Sequence, residues 1–185
     1  MRPGAWVAAI AATVLVGLSG AAHGESWTVP GAYTLKVDGW SRNVIPEGFN
    51  YRCTRCSEQI EIEIMYGPPL SSSATWKTND EFIATLSTTE KRQTFADTLM
   101  KNAIPPGLGA KVEIKRVALE EIGGLRVLMM ASEVVIGRSV TLDTSMVGIQ
   151  SNRLMRTSVR FFAGAMNAEN GAAINDFMNG LAFVK

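Results

Sequence analysis

Histidine is nearly absent from this chain, whose one imidazole among 185 residues is His23. We expect His23 to be removed with a leader peptide, so the mature protein would have no histidine. A Ser-His-Asp triad, a Cys-His pair and a histidine-based zinc site all require imidazole. The sequence therefore predicts no catalytic residue, no metal ligands and no cofactor. Acid–base catalysis would have to come from carboxylates or lysines, and a carboxylate enzyme is the weakest of the alternatives.

The numbers of basic and acidic residues are also nearly equal. The chain has 18 basic and 17 acidic residues, and loss of Arg2 with the leader would leave equal numbers. Nucleic acids and anionic membranes attract proteins through basic stripes and tails, and the sequence has neither. We therefore predict no nucleic-acid binding and expect a protein or small-molecule partner, which the sequence does not identify.

The first 24 residues have the pattern of a secretory signal peptide. Arg2 supplies the positive charge, residues 5–18 form an uncharged apolar run, and residues 22–24 fit the small-x-small cleavage pattern. The run is shorter than the roughly 20 residues that span a bilayer, and an uncleaved anchor is the alternative. We predict a signal peptide at 1–24 and a single globular domain at 25–185. The mature protein would be exported, periplasmic or secreted, without a membrane span.

Alternation of apolar and polar residues predicts strands on both sides of a helical middle. Residues 27–48 predict one short strand, Tyr33 to Val37, and a loop. Residues 60–64 predict a strand whose three isoleucines face a core, while Glu61 and Glu63 face solvent. After the helical middle, strands are predicted at 112–115, 125–136, 139–149 and 152–162, with turns at 123–124 and 150–152.

Two helices are predicted between and after these strands. A capping box with Ser87 as N-cap and Glu90 as the third helical residue starts the first, and Pro105 ends it. Its apolar face would contain Phe95, Ala96, Leu99, Met100, Ala103 and Ile104. Asn79 would cap an earlier helical turn. A short terminal helix would contain Ala173, Ile174, Phe177 and Leu181, with Gly180 at its C-terminus.

Consecutive strands with short turns, grouped apart from helices, indicate the α+β class. We predict an antiparallel sheet flanked by helices. Three features follow one another along the chain: a strand that ends in Asp38-Gly39-Trp40, a turn at Gly123-Gly124-Leu125 and a closing helix with Ile174-Asn175-Asp176-Phe177. This order resembles the Mog1/PsbP-like group of α/β/α sandwiches. The resemblance implies a binding or assembly factor, and it transfers no catalytic residue.

Cys53 and Cys56 are the only cysteines. Outside the cytosol two thiols at this spacing should oxidise together, and a structural disulfide is the favoured interpretation. A thiol-disulfide redox protein is the alternative, because Arg55 and the C-x-x-C spacing favour a thiolate. The predicted strand that follows Cys56 argues against it, since reactive pairs usually begin a helix.

Four other residues are candidates for binding. Trp40 and Trp76, together with Trp27, lie in or near predicted loops, where these rings would either anchor the loop or line a partner-binding edge, in which aromatics are enriched. Arg156 and Arg160 share one face of the last strand, where they would either bind an anion or be solvated. Glu61 and Glu63 would be solvated. The favoured function is an exported, non-catalytic binding or accessory domain of the cell envelope.

Overall fold

The computed structural model describes residues 25–104 and 107–184, so the predicted signal peptide lies outside the described residues. The described elements follow the order of five strands, two helices, four strands, one helix and one strand. They are β1 (Glu25–Val29), β2 (Tyr33–Val37), β3 (Trp40–Ile45), β4 (Gly48–Cys53), β5 (Glu61–Pro69), α1 (Asn79–Thr85), α2 (Thr89–Ala103), β6 (Lys111–Ile122), β7 (Leu125–Ile136), β8 (Ser139–Gln150), β9 (Arg153–Phe162), α3 (Ala168–Gly180) and β10 (Leu181–Phe183).

Seven strands form one sheet in the order β3-β4-β5-β9-β8-β7-β6. Every neighbouring pair in it is antiparallel. The β8–β9 hairpin turns at Ser151 (φ 49°) and Asn152 (φ 57°), the left-handed pair that a type I′ turn requires. The predicted α+β class, with an antiparallel sheet and helices, is confirmed.

One face of this sheet is covered by α3 and by a second sheet, in the order β1-β2-β10. The residues between them form the first core. Ile60, Ile62 and Ile64 are fully buried in it, as their alternation with glutamates predicts. The largest fully buried side chains in this core besides them are Tyr33, Leu35, Tyr51, Met155 and Phe177.

The other face of the sheet is covered over β6, β7 and β8 by α1 and α2. The residues between them form the second core, whose fully buried members include Phe82, Ala96, Leu128 and Val147. Phe95 and Leu99 of α2 are half-buried against this core, so the predicted helix packs on the sheet through the predicted side. Ala103 is exposed, because the helix reaches the rim of the sheet at its last turn.

The helix caps differ from the predicted ones by one residue. Thr88 caps α2, its side chain accepting from the amide of Lys91, and Ser87 precedes the cap. Thr78 caps α1 in a capping box with Glu81, whereas Asn79 is the first helical residue. Both errors arise because neighbouring Ser, Thr and Asn residues are comparable N-caps. The two prolines predicted to stop α2 lie outside the described residues.

Besides β10, three strands occur where the sequence indicates a loop or no strand. β1 pairs with β2, and β3, within the segment predicted to be a loop, pairs with β4. Alternation of apolar and polar residues is interrupted in β3, which is an edge strand with one neighbour, so pairing rather than local pattern determines that strand. Residues 49–53 of β4 do alternate, but the prediction from the sequence missed this strand.

The terminal helix ends at Gly180, and Leu181 begins β10, which pairs with β2. Leu181 is thus a strand residue and not part of the helix. A Cβ atom on Gly180 would lie 2.0 Å from the carbonyl oxygen of Lys36. Only glycine permits this approach of α3 to β2.

Candidate functional site

A buried carboxylate lies at the centre of the seven-stranded sheet, on the face that also bears α1 and α2. Asp143 of β8 is 4% exposed and lies opposite Arg160 of β9. Its Oδ2 accepts hydrogen bonds from Ser158 Oγ and Arg160 Nε, each at 2.9 Å. Its Oδ1 accepts from Ser145 Oγ. Both oxygens are therefore occupied by donors from the protein, as a buried charge requires.

Arg156 joins this network through a serine. Its Nε and Nη2 donate to Ser145 Oγ at 3.2 and 2.9 Å, and its Nη2 lies 3.8 Å from Asp143 Oδ1. Burial lowers the pKa of the Arg156 guanidinium, while the charge of Asp143 opposes that shift. For Arg160 burial also lowers the pKa, but the hydrogen bond and charge of Asp143 outweigh it and raise the pKa overall. An arginine guanidinium stays protonated in proteins, so both side chains are cations.

The environment of these arginines departs from the solvated alternative considered for them. The Arg156 side chain is only 16% exposed, and Arg160, at 46%, pairs with both Asp143 and Glu63. Two cations thus face two carboxylates. Sequence reasoning missed Asp143, although it is the one carboxylate in the predicted strand at residues 139–149.

The two glutamates of β5 are each paired with an arginine. Glu61 Oε1 accepts from Arg52 Nη2 at 2.7 Å and from Gln59 Nε2 at 2.9 Å. Partial burial raises the pKa of Glu61, but the hydrogen bonds and charge of its partners outweigh that and hold it below its ordinary value. Glu63 Oε2 lies 3.6 Å from Arg160 Nη1. The glutamates are thus part of an ion-pair ladder on the sheet.

The two tryptophans singled out from the sequence pack in different cores. Trp40 is 5% exposed, and its ring lies 4.8 Å from that of Phe177. Trp76 is half-buried and packs against Phe82 and Phe95, with ring centroids 5.2 and 6.2 Å away. Trp40 therefore offers almost no surface to a partner, and Trp76 anchors its loop on α1 and α2.

Cys53 and Cys56 are joined by a disulfide, with their Cα atoms 5.6 Å apart. Cys53 ends β4 and is 8% exposed. The loop that the bond closes is held against α3, because Arg55 pairs with Asp176 at 2.8 Å and the amide of Ser57 donates to the side chain of Asn170. The bond therefore shapes a loop that docks on a helix.

The edge strand β3 presents the most exposed of the large hydrophobic residues in the described chain. Val44 is 79% exposed and lies opposite Phe49 of β4. The guanidinium of Arg42 lies 5.0 Å from the ring centroid of Phe49 and 5.7 Å from that of Trp27. We call Trp27, Arg42, Val44 and Phe49 the edge patch. Of these four residues, sequence reasoning indicated only Trp27, because it predicts a loop in place of β3.

The fold defined by these elements is an antiparallel α+β sandwich of the PsbP-like type. No protein-family model and no curated protein sequence matches the chain. The structure is similar to that of cyanobacterial PsbP (CyanoP) from Synechocystis sp. PCC 6803, with a TM-score of 0.59 and 14% identity, over 92% of this chain and 98% of that one. It is also similar to a crystal structure from Bacteroides thetaiotaomicron VPI-5482, with a TM-score of 0.50 and 11% identity, over 88% of this chain and 49% of that one. The resemblance predicted from the sequence is confirmed at the level of the fold.

Proposed function

We propose that this protein is an exported, non-catalytic accessory domain that binds a partner protein at the edge patch. The observation that carries the proposal is the edge patch itself: an apolar side chain and an arginine on the edge strand β3, beside one aromatic ring on β4 and another on β1. Tryptophan, other aromatics and arginine are enriched at protein interfaces. An extended segment can also pair with a free strand edge by backbone hydrogen bonds.

The charges of the edge patch define the kind of segment that fits it. Arg42 pairs with no carboxylate among residues 25–104 and 107–184. The segment would place an apolar side chain against Val44 and Phe49, and an acidic one beside Arg42. The opposite edge strand, β6, is less suited to pairing, since it has a register shift between Ile114 and Arg116 and charged residues along its length.

Two observations support the non-catalytic and exported parts of the proposal. The Asp143 carboxylate has its oxygens occupied by three donors, so it is poorly placed to exchange a proton with a substrate. The disulfide between Cys53 and Cys56 favours an oxidising compartment, where such bonds persist. The similarity of this fold to that of PsbP is also consistent with an accessory role.

Site-specific photo-crosslinking in the native host tests the binding site. A photoreactive side chain at position 44 should give one discrete adduct, which Arg42→Glu should abolish. The matched control is the same side chain at Ile136, another exposed apolar residue, at 43% exposure, at the end of β7. Equal adducts at both positions, or none at position 44, would contradict the proposal. The mass of envelope-extracted protein tests export separately: we expect a chain starting near Glu25, and an intact Met1 would contradict cleavage.

The second candidate function is thiol-disulfide exchange. It is favoured by one contact, in which the amide of Cys56 lies 3.1 Å from Cys53 Sγ and would stabilise a thiolate there. The position of Cys53 at the end of a strand, with 8% exposure, favours a structural bond instead. Equilibration with glutathione separates the two functions, because structural bonds resist that buffer and catalytic ones are reduced by it.

A further inference from the structure

An open groove of about 540 Å³ lies between α1, the start of α2 and the strands β6 and β7. Its apolar lining is Ile83, Ala84 and Leu119, and its polar lining is Asp80, Ser87, Arg92 and Arg126. This volume is within the range of pockets that take small ligands. The groove is remote from β3, and neither the Asp143 network nor the edge patch contributes to its lining.

The wall formed by α1 is fixed to the sheet by one side chain. Asn79 donates from Nδ2 to the carbonyl oxygen of Arg126 on β7 at 2.8 Å, and its Oδ1 accepts from the amide of Ile149 on β8 at 2.8 Å. Because both strands hold the first residue of α1, the groove is a preformed feature and needs no ligand to open it.

Arg92 is held in place at the groove without a counter-charge. Its Nη1 donates to the carbonyl oxygens of Leu86 and Ser87 at 3.1 and 3.4 Å, and its Nη2 donates to Thr89 Oγ1 at 3.0 Å. All three acceptors are neutral, and its buried Nε has no hydrogen-bond partner among the described residues. A cation immobilised in this way attracts an anion without further ordering cost.

Arg126 is the second cation of the groove, and it too forms no ion pair within the described chain. The charged side chains of the lining, two arginines and one aspartate, carry one net positive charge, and Glu121, which lies opposite Arg126 on β6, is not part of the lining. A ligand with one negative charge is therefore matched, whereas a dianion would meet the repulsion of Asp80. The apolar side chains between these charges suit a hydrocarbon body.

We propose that this groove binds a small amphiphile with an apolar body and a single carboxylate. The carboxylate lies near Arg92 and Arg126, and the apolar body lies along Ile83, Ala84 and Leu119. This inference goes beyond the proposed function, because it concerns a small molecule and a different part of the surface. Binding at the groove and binding at the edge patch can therefore fail independently.

Calorimetric titration of the mature chain tests the proposal with decanoate as the probe. We expect saturable binding at one site. Butyrate, which has the same carboxylate on a shorter chain, and decyltrimethylammonium, which has the same chain length with the opposite charge, should both bind much more weakly. Decanoate binding no better than either compound, or none at all, would overturn the proposal.

Variants locate the site. Arg126→Gln should weaken decanoate binding about fivefold, the equivalent of one exposed ion pair, and Ala84→Trp should abolish it by filling the groove. Arg138→Gln, a matched change on the exposed β7–β8 turn, should leave binding unchanged. Arg126 and Ala84 are exposed, so these variants should fold, and their thermal unfolding checks this. Equal weakening by Arg126→Gln and Arg138→Gln would refute the assignment, and so would unchanged binding by Ala84→Trp. Photo-crosslinking at position 44 should be unaffected by Ala84→Trp.

Discussion

Replacement of Asp143 by asparagine is the most informative perturbation of this fold. The change keeps the size of the side chain and removes its charge. Asp143 is 4% exposed and accepts hydrogen bonds from two serines and from Arg160. Without the carboxylate, Arg156 and Arg160 lose their nearest counter-charge, while Arg156 stays largely buried. The folded state alone bears this cost, because in the unfolded chain both arginines are hydrated.

The magnitude follows from the burial of the partners. Removal of one member of a buried ion pair costs about 3–5 kcal/mol, because the remaining charge is left uncompensated. The Arg160 side chain is 46% exposed and that of Arg156 16%, so water screens the first and hardly reaches the second. We therefore expect a loss near the lower end, about 3 kcal/mol.

Urea unfolding with the disulfide intact measures this loss. With a slope of about 2 kcal/mol/M, the midpoint should fall by about 1.5 M urea. Asp97→Asn is the matched control, because Asp97 is exposed on α2 and accepts only from Gln93; it should change stability by less than about 0.5 kcal/mol. Adding Arg156→Met to Asp143→Asn should recover part of the loss, because the largely buried, uncompensated cation is removed. Equal effects of the two asparagine variants, or strict additivity with Arg156→Met, would refute this reasoning.

Three further predictions concern stability. Gly180→Ala should destabilise the fold by about 1–3 kcal/mol, because the new Cβ atom would overlap a backbone carbonyl. The control is Gly171→Ala in the same helix, whose new Cβ atom would meet only a side-chain sulfur atom at 3.7 Å and which should be neutral or stabilising by up to about 1 kcal/mol. The denaturant midpoints of the two variants measure this difference. Cys53→Ser/Cys56→Ser should still fold and lose about 2 kcal/mol, the loop-entropy value for so small a ring; a variant that cannot fold contradicts this value. The pKa of Glu61 is lower in the folded state than in the unfolded state, so the ionised Glu61 stabilises the fold at a pH above the unfolded-state pKa, and this stabilisation is lost as the pH falls through the folded-state pKa. Glu61→Gln should therefore make the unfolding midpoint less sensitive to acid. An unchanged pH profile of the midpoint would contradict the pairing of Glu61.

Periodicity predicts much of the fold because burial enforces it. The isoleucines of β5 follow the alternation that one buried face produces, whereas β7 is rich in Leu, Val and Met because its two faces pack in the two cores. β3 and β4 escape detection because one is an edge strand and their turn residues resemble a loop. The end of α3 is not predicted correctly for another reason. Leu181 continues the apolar spacing of the helix, but it pairs with β2 and is therefore a strand residue.

The candidate sites are less predictable than the fold because they depend on contacts between strands distant in sequence. Arg156 and Arg160 attract attention on the last strand, yet their counter-charge lies on β8, opposite Arg160. Cross-strand register decides which residues meet, and a shift of one residue would move Asp143 to the other face. The groove depends in the same way on Asn79, whose bonds to β7 and β8 leave no trace in the local pattern.

Ion pairing separates the arginines of this protein into two groups with different consequences. Arg156 and Arg160 are compensated by Asp143 and Glu63, so an incoming anion would gain little there and would have to compete with carboxylates already in place. Arg42, Arg92 and Arg126 form no ion pair within the described chain, and each lies beside exposed or partly exposed apolar surface. A cation without a partner next to apolar surface keeps its full attraction for an amphiphilic anion. Recognition is therefore expected at the edge patch and the groove, while the charged centre of the sheet contributes to stability.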